Sequence, residues 1–260
     1  MKQQHSDRYA LVTGASRGLG RAIAIELAKQ GYPTILVSRS AKVYEVCEEI
    51  TSQYGIPSVG FMVDLTNAAA IASLAEQVNA TYQVFMLVNN AGTGGTRRFV
   101  EASTQYLENI LDLNIKGTAL LTHALLPNLL QQPQAYVLNI GSMAAHTPTG
   151  FKTVYPASKA FVHHFSLGLR EELKGTPVSV SVCSPGAMAT NDEVTARIER
   201  QGFFGRFTLK SVESIAQQCV RQTLRWKRHI VINPISYALS SIVPNAIKTP
   251  ILTRIVKREL

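Results

Sequence analysis

Tyr9-Ala10-Leu11-Val12-Thr13-Gly14-Ala15-Ser16-Arg17-Gly18-Leu19-Gly20 is a short apolar run that breaks into three glycines, and from Arg21 to Gln30 the pattern turns helical. A strand that enters a glycine turn and then a helix is suited to an anion. The glycines let the chain turn sharply and let a diphosphate approach the N–H groups at the helix N-terminus, where the helix dipole favours negative charge. Tight strand-to-helix turns also use glycine for backbone reasons alone. The strand before, the helix after and the position at the chain start together carry the reading to a dinucleotide. The spacing is Gly-x-x-x-Gly-x-Gly, a departure from the commoner G-x-G-x-x-G.

The same rhythm continues outward. Short apolar runs at 9–13, 34–38, 59–63, 85–89, 136–141, 178–184 and 229–232 alternate with helical-period segments at 20–30, 43–54, 68–82, 105–130, 155–174 and 211–226. This alternation predicts an α/β fold of Rossmann type, a doubly wound parallel sheet buried on both faces. The 260 residues suit one such domain. Only 185–207 and the stretch after Pro234 break the rhythm. A substrate loop is therefore expected at about 187–210 and a basic extension at about 234–260.

Composition narrows the class. Hydrophobic residues at 46 % with 17 % charged residues exclude a disordered or fibrous chain. Three scattered cysteines, Cys47, Cys183 and Cys219, make no disulfide framework and no four-ligand zinc site. No metal is expected: His163 and His164 are adjacent on a helix and read as ordinary helix residues, and His146 is left unassigned. The formal charge is +9, but eight Lys or Arg against Glu259 alone fall from Arg221 onward. The rest of the chain is nearly balanced, which argues against a nucleic-acid groove. The polar start, and the absence of any run of about 20 apolar residues, predict a cytoplasmic protein.

Gly14, Gly18 and Gly20, then Asn89-Asn90-Ala91-Gly92, Ser142, Tyr155-Pro156-Ala157-Ser158-Lys159 and Pro185-Gly186 together resemble the short-chain dehydrogenase/reductase family, in its order and spacing. The resemblance covers about 9–190. It implies that Tyr155 gives and takes the proton of a carbonyl or alcohol, and that Lys159 favours the phenolate and holds the nicotinamide ribose. The residues agree physically: four apart on a helix they share a face, and a nearby ammonium draws a phenol of pKa about 10 toward the working range. The resemblance makes Ser142 the hydrogen-bond donor to the substrate oxygen and Asn114 the holder of a relay water. Read for structure alone, Ser142 is a turn residue and Asn114 a buried amide that needs partners.

For the cofactor the resemblance implies contacts from Ser16, Arg17 and Leu19 in the glycine turn, from Asn90, Ala91 and Gly92, from Asp64 to the adenine, and from Pro185, Gly186, Met188 and Thr190 to the nicotinamide side. Asn90 is weighed as more structural than chemical, and Asp64 as an alternative helix cap. No acid stands between Gly31 and Lys42, whereas Arg39 ends the second strand and Arg17 lies in the turn. That set suits a 2′-phosphate, hence NADP (NADPH).

The expected function is NADPH-dependent interconversion of a ketone or aldehyde and an alcohol, on an apolar, acyl- or steroid-like small molecule. The alternative is a non-catalytic dinucleotide-binding regulatory protein. A homodimer or homotetramer through helices 105–130 and 155–174 is expected from family habit. In the tail, Ile247, Ile251, Leu252, Ile255 and Val256 recur at helical spacing among Lys248, Arg254, Lys257 and Arg258. Such a helix suits either an anionic membrane surface or packing on the protein itself. Pro250 is expected to shorten it.

Overall fold

The computed structural model describes residues 7–186, 188 and 210–260. Seven parallel strands form one sheet in the order β3-β2-β1-β4-β5-β6-β7. They are β1 Arg8–Thr13, β2 Thr34–Ser38, β3 Ser58–Met62, β4 Gln83–Asn89, β5 Ala135–Ile140, β6 Val178–Ser184 and β7 His229–Val231. Strand order reverses between β1 and β4, so a crevice opens there beyond the carboxyl ends of the strands. This is the doubly wound arrangement that the alternating pattern predicts.

Both sheet faces are covered because neighbouring strand residues point to opposite sides. Val12, Leu36, Val88 and Leu138 face α1 (Gly18–Lys29), α2 (Lys42–Tyr54) and α7 (Val212–Leu224). Leu11, Ile35, Leu87 and Val137 face α3 (Ala68–Thr81) and α5 (Thr118–Leu130), with Leu169 of α6 (Val154–Glu172) beside them. A chain of buried polar contacts crosses this second layer. Asn89 Nδ2 donates to Thr122 Oγ1 at 2.9 Å and to Asn139 Oδ1 at 2.8 Å, and Asn139 Nδ2 donates to Ser166 Oγ at 2.9 Å. Satisfied buried amides are directional where apolar packing is not, so α6 is held at one register against β5.

Two expectations change. The helix expected over 105–130 is broken: α4 (Thr104–Leu111) and α5 are joined by a π-helical segment, Asp112–Gly117. A widened turn of this kind turns inward a residue that α geometry would place elsewhere, here Asn114. The helical spacing expected in the tail is realised as α9 (Asn245–Val256), and a helix that was not expected, α8 (Pro234–Ile242), precedes it. Pro234 serves as the first helical residue, and Asn233 Oδ1 caps it by accepting from Ser236 N at 3.1 Å. Pro250 does not cut α9 but sits within it. Lost backbone bonding there is offset by tertiary anchors on both sides: Thr253 Oγ1 accepts from Gly150 N at 2.9 Å, Lys248 Nζ donates to the His146 carbonyl at 2.9 Å, and the buried Glu259 carboxylate pairs with Lys152 Nζ at 2.8 Å.

Among the described residues no helix is long and apolar enough to cross a membrane. The anchors agree with the packing reading of the tail.

Candidate active site

Most candidate residues sit in the turns leaving β1, β2, β3, β4, β5 and β6, while Asn114 lies on the π segment and Tyr155 and Lys159 on α6. After β1, Gly14 adopts φ +66°, a conformation costly to a side chain. Gly20 permits a close approach: a Cβ there would lie 2.4 Å from both Asn90 Nδ2 and the Gly14 carbonyl oxygen. No acid occupies the first turn of α1, and no side chain caps it. Ser16 and Arg17 precede this first turn and Leu19 lies within it.

Asn90 has the structural role expected of it. Its Nδ2 donates to the Thr13 carbonyl at 2.9 Å, while the N–H groups of Asn90 and Ala91 both donate to Thr13 Oγ1 at 3.0 Å. These bonds lock the turn after β4 onto the glycine turn. Thr13 was not among the expected site residues; its place as the last residue before the first glycine was the available signal.

Beyond β2, Ser38 Oγ donates to Ser16 Oγ at 2.9 Å. Arg39 and Arg17 are exposed. Arg39 Nη1 lies 3.9 Å from Asp64 Oδ2, a long, solvated pair worth little. An acid does therefore stand near Arg39, delivered by β3 and not by the β2 turn that the sequence pattern inspects. Asp64 is not the cap of α3. Its Oδ1 accepts from Thr66 N at 3.0 Å, and the cap is Asn67, whose Oδ1 accepts from Ala69 N at 2.9 Å.

Lys159 is buried at 6 % exposure, with Nζ donating to the Ile140 carbonyl at 2.8 Å. Burial pushes its ammonium down from 10.5 to about 8. A Cβ on Gly92 would lie 3.2 Å from Asn114 Oδ1 and 3.3 Å from Lys159 Nζ, so these three residues meet. Asn114 is fully engaged. Its Oδ1 accepts from Thr93 N at 2.9 Å, and its Nδ2 donates to the Thr93 carbonyl and to Ser158 Oγ, both at 2.9 Å. The half-buried Tyr155 lies one turn before Lys159, and its ring packs over Gly94, where a Cβ would be 2.5 Å from Tyr155 Cδ2. Thr93, Gly94 and Ser158 were missed as site residues; the run Gly92-Thr93-Gly94-Gly95 after a strand was the signal.

Ser142 Oγ accepts from Ala144 N at 3.1 Å and so caps the 3₁₀ turn Met143–His146. Its own proton is left to donate. The Pro185 carbonyl accepts from Met143 N at 2.9 Å, Gly186 follows at the crevice, and Met188 packs against the core. Thr190 and the rest of the expected substrate loop as far as residue 209 lie outside the described residues.

A family model described as short chain dehydrogenase matches residues 8–201. An uncharacterised oxidoreductase of Staphylococcus saprophyticus is 36 % identical over 186 residues, 71 % of this chain and 80 % of its own length. The NADP-dependent 3-hydroxy acid dehydrogenase YdfG of Shigella flexneri is 31 % identical over 229 residues, 86 % of this chain and 91 % of its own. Among solved structures, a short-chain dehydrogenase from Sphingobium yanoikuyae in complex with NADPH superposes with a TM-score of 0.78 at 24 % identity, covering 92 % of this chain and 97 % of that one.

Proposed function

This chain belongs to the short-chain dehydrogenase family of oxidoreductases, and we propose that it interconverts a ketone or aldehyde and the matching alcohol with NADP(H), on a small apolar molecule. The observation that carries this is the meeting of a buried Lys159, Asn114 and Gly92 one helical turn from Tyr155, together with a glycine turn whose helix has no side-chain cap among the described residues.

Each residue has a task in this reading. Tyr155 exchanges a proton with the substrate oxygen, and Ser142, whose Oγ already accepts from Ala144 N, turns its own hydrogen to that oxygen and stabilises charge there. Lys159 spends one of its donors on the Ile140 carbonyl and keeps the others for ribose hydroxyls. Asn114 acts by position: its amide fixes Thr93 and Ser158, which set Gly92 and the Tyr155–Lys159 turn against each other. The bound dinucleotide supplies or accepts the hydride.

NADP is favoured over NAD because the exposed Arg39 and Arg17 offer guanidinium groups to a 2′-phosphate, and the Shigella relative is named as NADP-dependent. Replacing Arg39 by Asp should weaken NADPH binding at least tenfold and spare NADH. Equal catalytic efficiency of the unaltered protein with both cofactors contradicts the assignment. We assign 187–210 to the substrate loop and expect a homodimer or homotetramer.

The test of function is a panel of ketones, aldehydes and 3-hydroxy acids scored by NADPH oxidation or NADP reduction, with NADH as control. Turnover of an apolar carbonyl supports the proposal. Dinucleotide binding without turnover across the panel favours the regulatory alternative.

A further inference from the structure

Away from Tyr155, three histidines from separate segments meet: His146 ends the 3₁₀ turn after β5, His163 lies on α6, and His229 begins β7. One ring nitrogen from each lies within 4.8 Å of the other two. His163 is thus no ordinary helix residue, whereas His164 points elsewhere, with Nδ1 2.9 Å from the Ala160 carbonyl oxygen. Nε2 of His146 and Nδ1 of His163 are buried without a hydrogen-bond partner among the described residues. A buried polar nitrogen without a partner is costly and uncommon. Two of them in one cluster mark a place where a further atom completes the bonding.

We propose that His146, His163 and His229 form a binding site for a single divalent transition-metal ion of the zinc class. Three imidazoles with no carboxylate suit Zn²⁺, Ni²⁺ or Cu²⁺, whereas Mg²⁺ and Ca²⁺ require oxygen ligands. Four-coordinate zinc holds nitrogen at about 2.0–2.1 Å, which sets ligand nitrogens roughly 3.4 Å apart, so the widest pair closes by up to about 1.4 Å on binding. A neutral imidazole, the ordinary form above about pH 6.5, offers a ring lone pair to a metal. Ser184 Oγ lies 2.9 Å from His229 Nε2 and fixes the orientation of that ring, as a hydrogen-bonded partner commonly does for a ligating histidine. An open pocket of about 340 Å³ lined by His146, Ser240, Asn245 and Lys248 adjoins the His146 side of the cluster. The charges of Lys248 and Arg228 act on the cluster and oppose a cation. Bound there, the ion ties the turn behind Ser142 to the helix of Tyr155 and Lys159 and to β7.

The experiment uses the full-length protein stripped of metal and titrated with Zn²⁺ by calorimetry, with Co²⁺ added separately as a visible-absorption reporter of four-coordination. One equivalent of zinc should bind, the melting temperature should rise with zinc concentration, and His146→Gln, His163→Gln and His229→Gln should each weaken binding at least tenfold, His164→Gln leaving it unchanged. Should those variants fail to fold by circular dichroism, imidazole ¹H–¹⁵N spectra of the unaltered protein decide: zinc must move three of its six histidine rings. No binding, binding that survives all three folded variants, or shifts confined to other histidines overturns the proposal.

Discussion

Lys159 is the residue whose environment does most to set chemistry. A folded-state value of about 8 against 10.5 means that the fold disfavours its charge. Below pH 8 the side chain is protonated whether folded or unfolded, and the penalty is fully present. Between 8 and 10.5 the unfolded chain binds more protons, so stability rises with pH and the penalty is gone above that window. The drop corresponds to about 3 kcal/mol. Denaturant unfolding should show the unaltered protein gaining stability over this window relative to Lys159→Met; parallel pH profiles contradict the assignment. Turnover should fall over the same range once the ammonium is lost.

At the level of elements, the π segment Asp112–Gly117 is what brings Asn114 to Thr93 and Ser158. Asn114→Ala takes the partners of the part-buried Thr93 N–H and carbonyl and one of the two partners of Ser158 Oγ, and should cost about 2–3 kcal/mol in urea unfolding, against about 1 kcal/mol for the exposed helix cap Asn67→Ala. An Asn114→Ala loss no larger than that of the cap contradicts the positioning role. The central strands were legible because each is a run buried on both faces: Thr34–Ser38 and Val178–Ser184 match their expected bounds. The glycine turn, Asn90, Ser142 and the Tyr155–Lys159 pair were legible because turn residues and helix spacing carry their geometry locally. The π segment was not, since an apolar helical period hardly registers one widened turn. Thr93 with Asn114, Arg39 with Asp64, Lys152 with Glu259 and the histidine cluster are joined only by tertiary folding, and no local pattern announces them.

For the molecule as a whole, the long helices leave apolar side chains uncovered. Leu111, Leu120 and Leu130 of α4 and α5 are 42 %, 39 % and 39 % exposed, and Phe161 of α6 stacks on Phe165 with ring centroids 5.7 Å apart. A second copy on these helices is the expected cover, and Leu120→Glu with Phe161→Glu should convert the oligomer to a monomer in sedimentation equilibrium. A strictly monomeric unaltered protein at micromolar concentration contradicts this. The account as a whole rests on proton transfer at Tyr155. Its most direct test is NADPH-dependent carbonyl turnover and NADPH affinity measured side by side for the unaltered protein and Tyr155→Phe. Loss of a single positioned proton donor predicts turnover lower by about 10²–10⁴-fold with the dissociation constant for NADPH nearly unchanged; undiminished turnover in the Phe variant contradicts it.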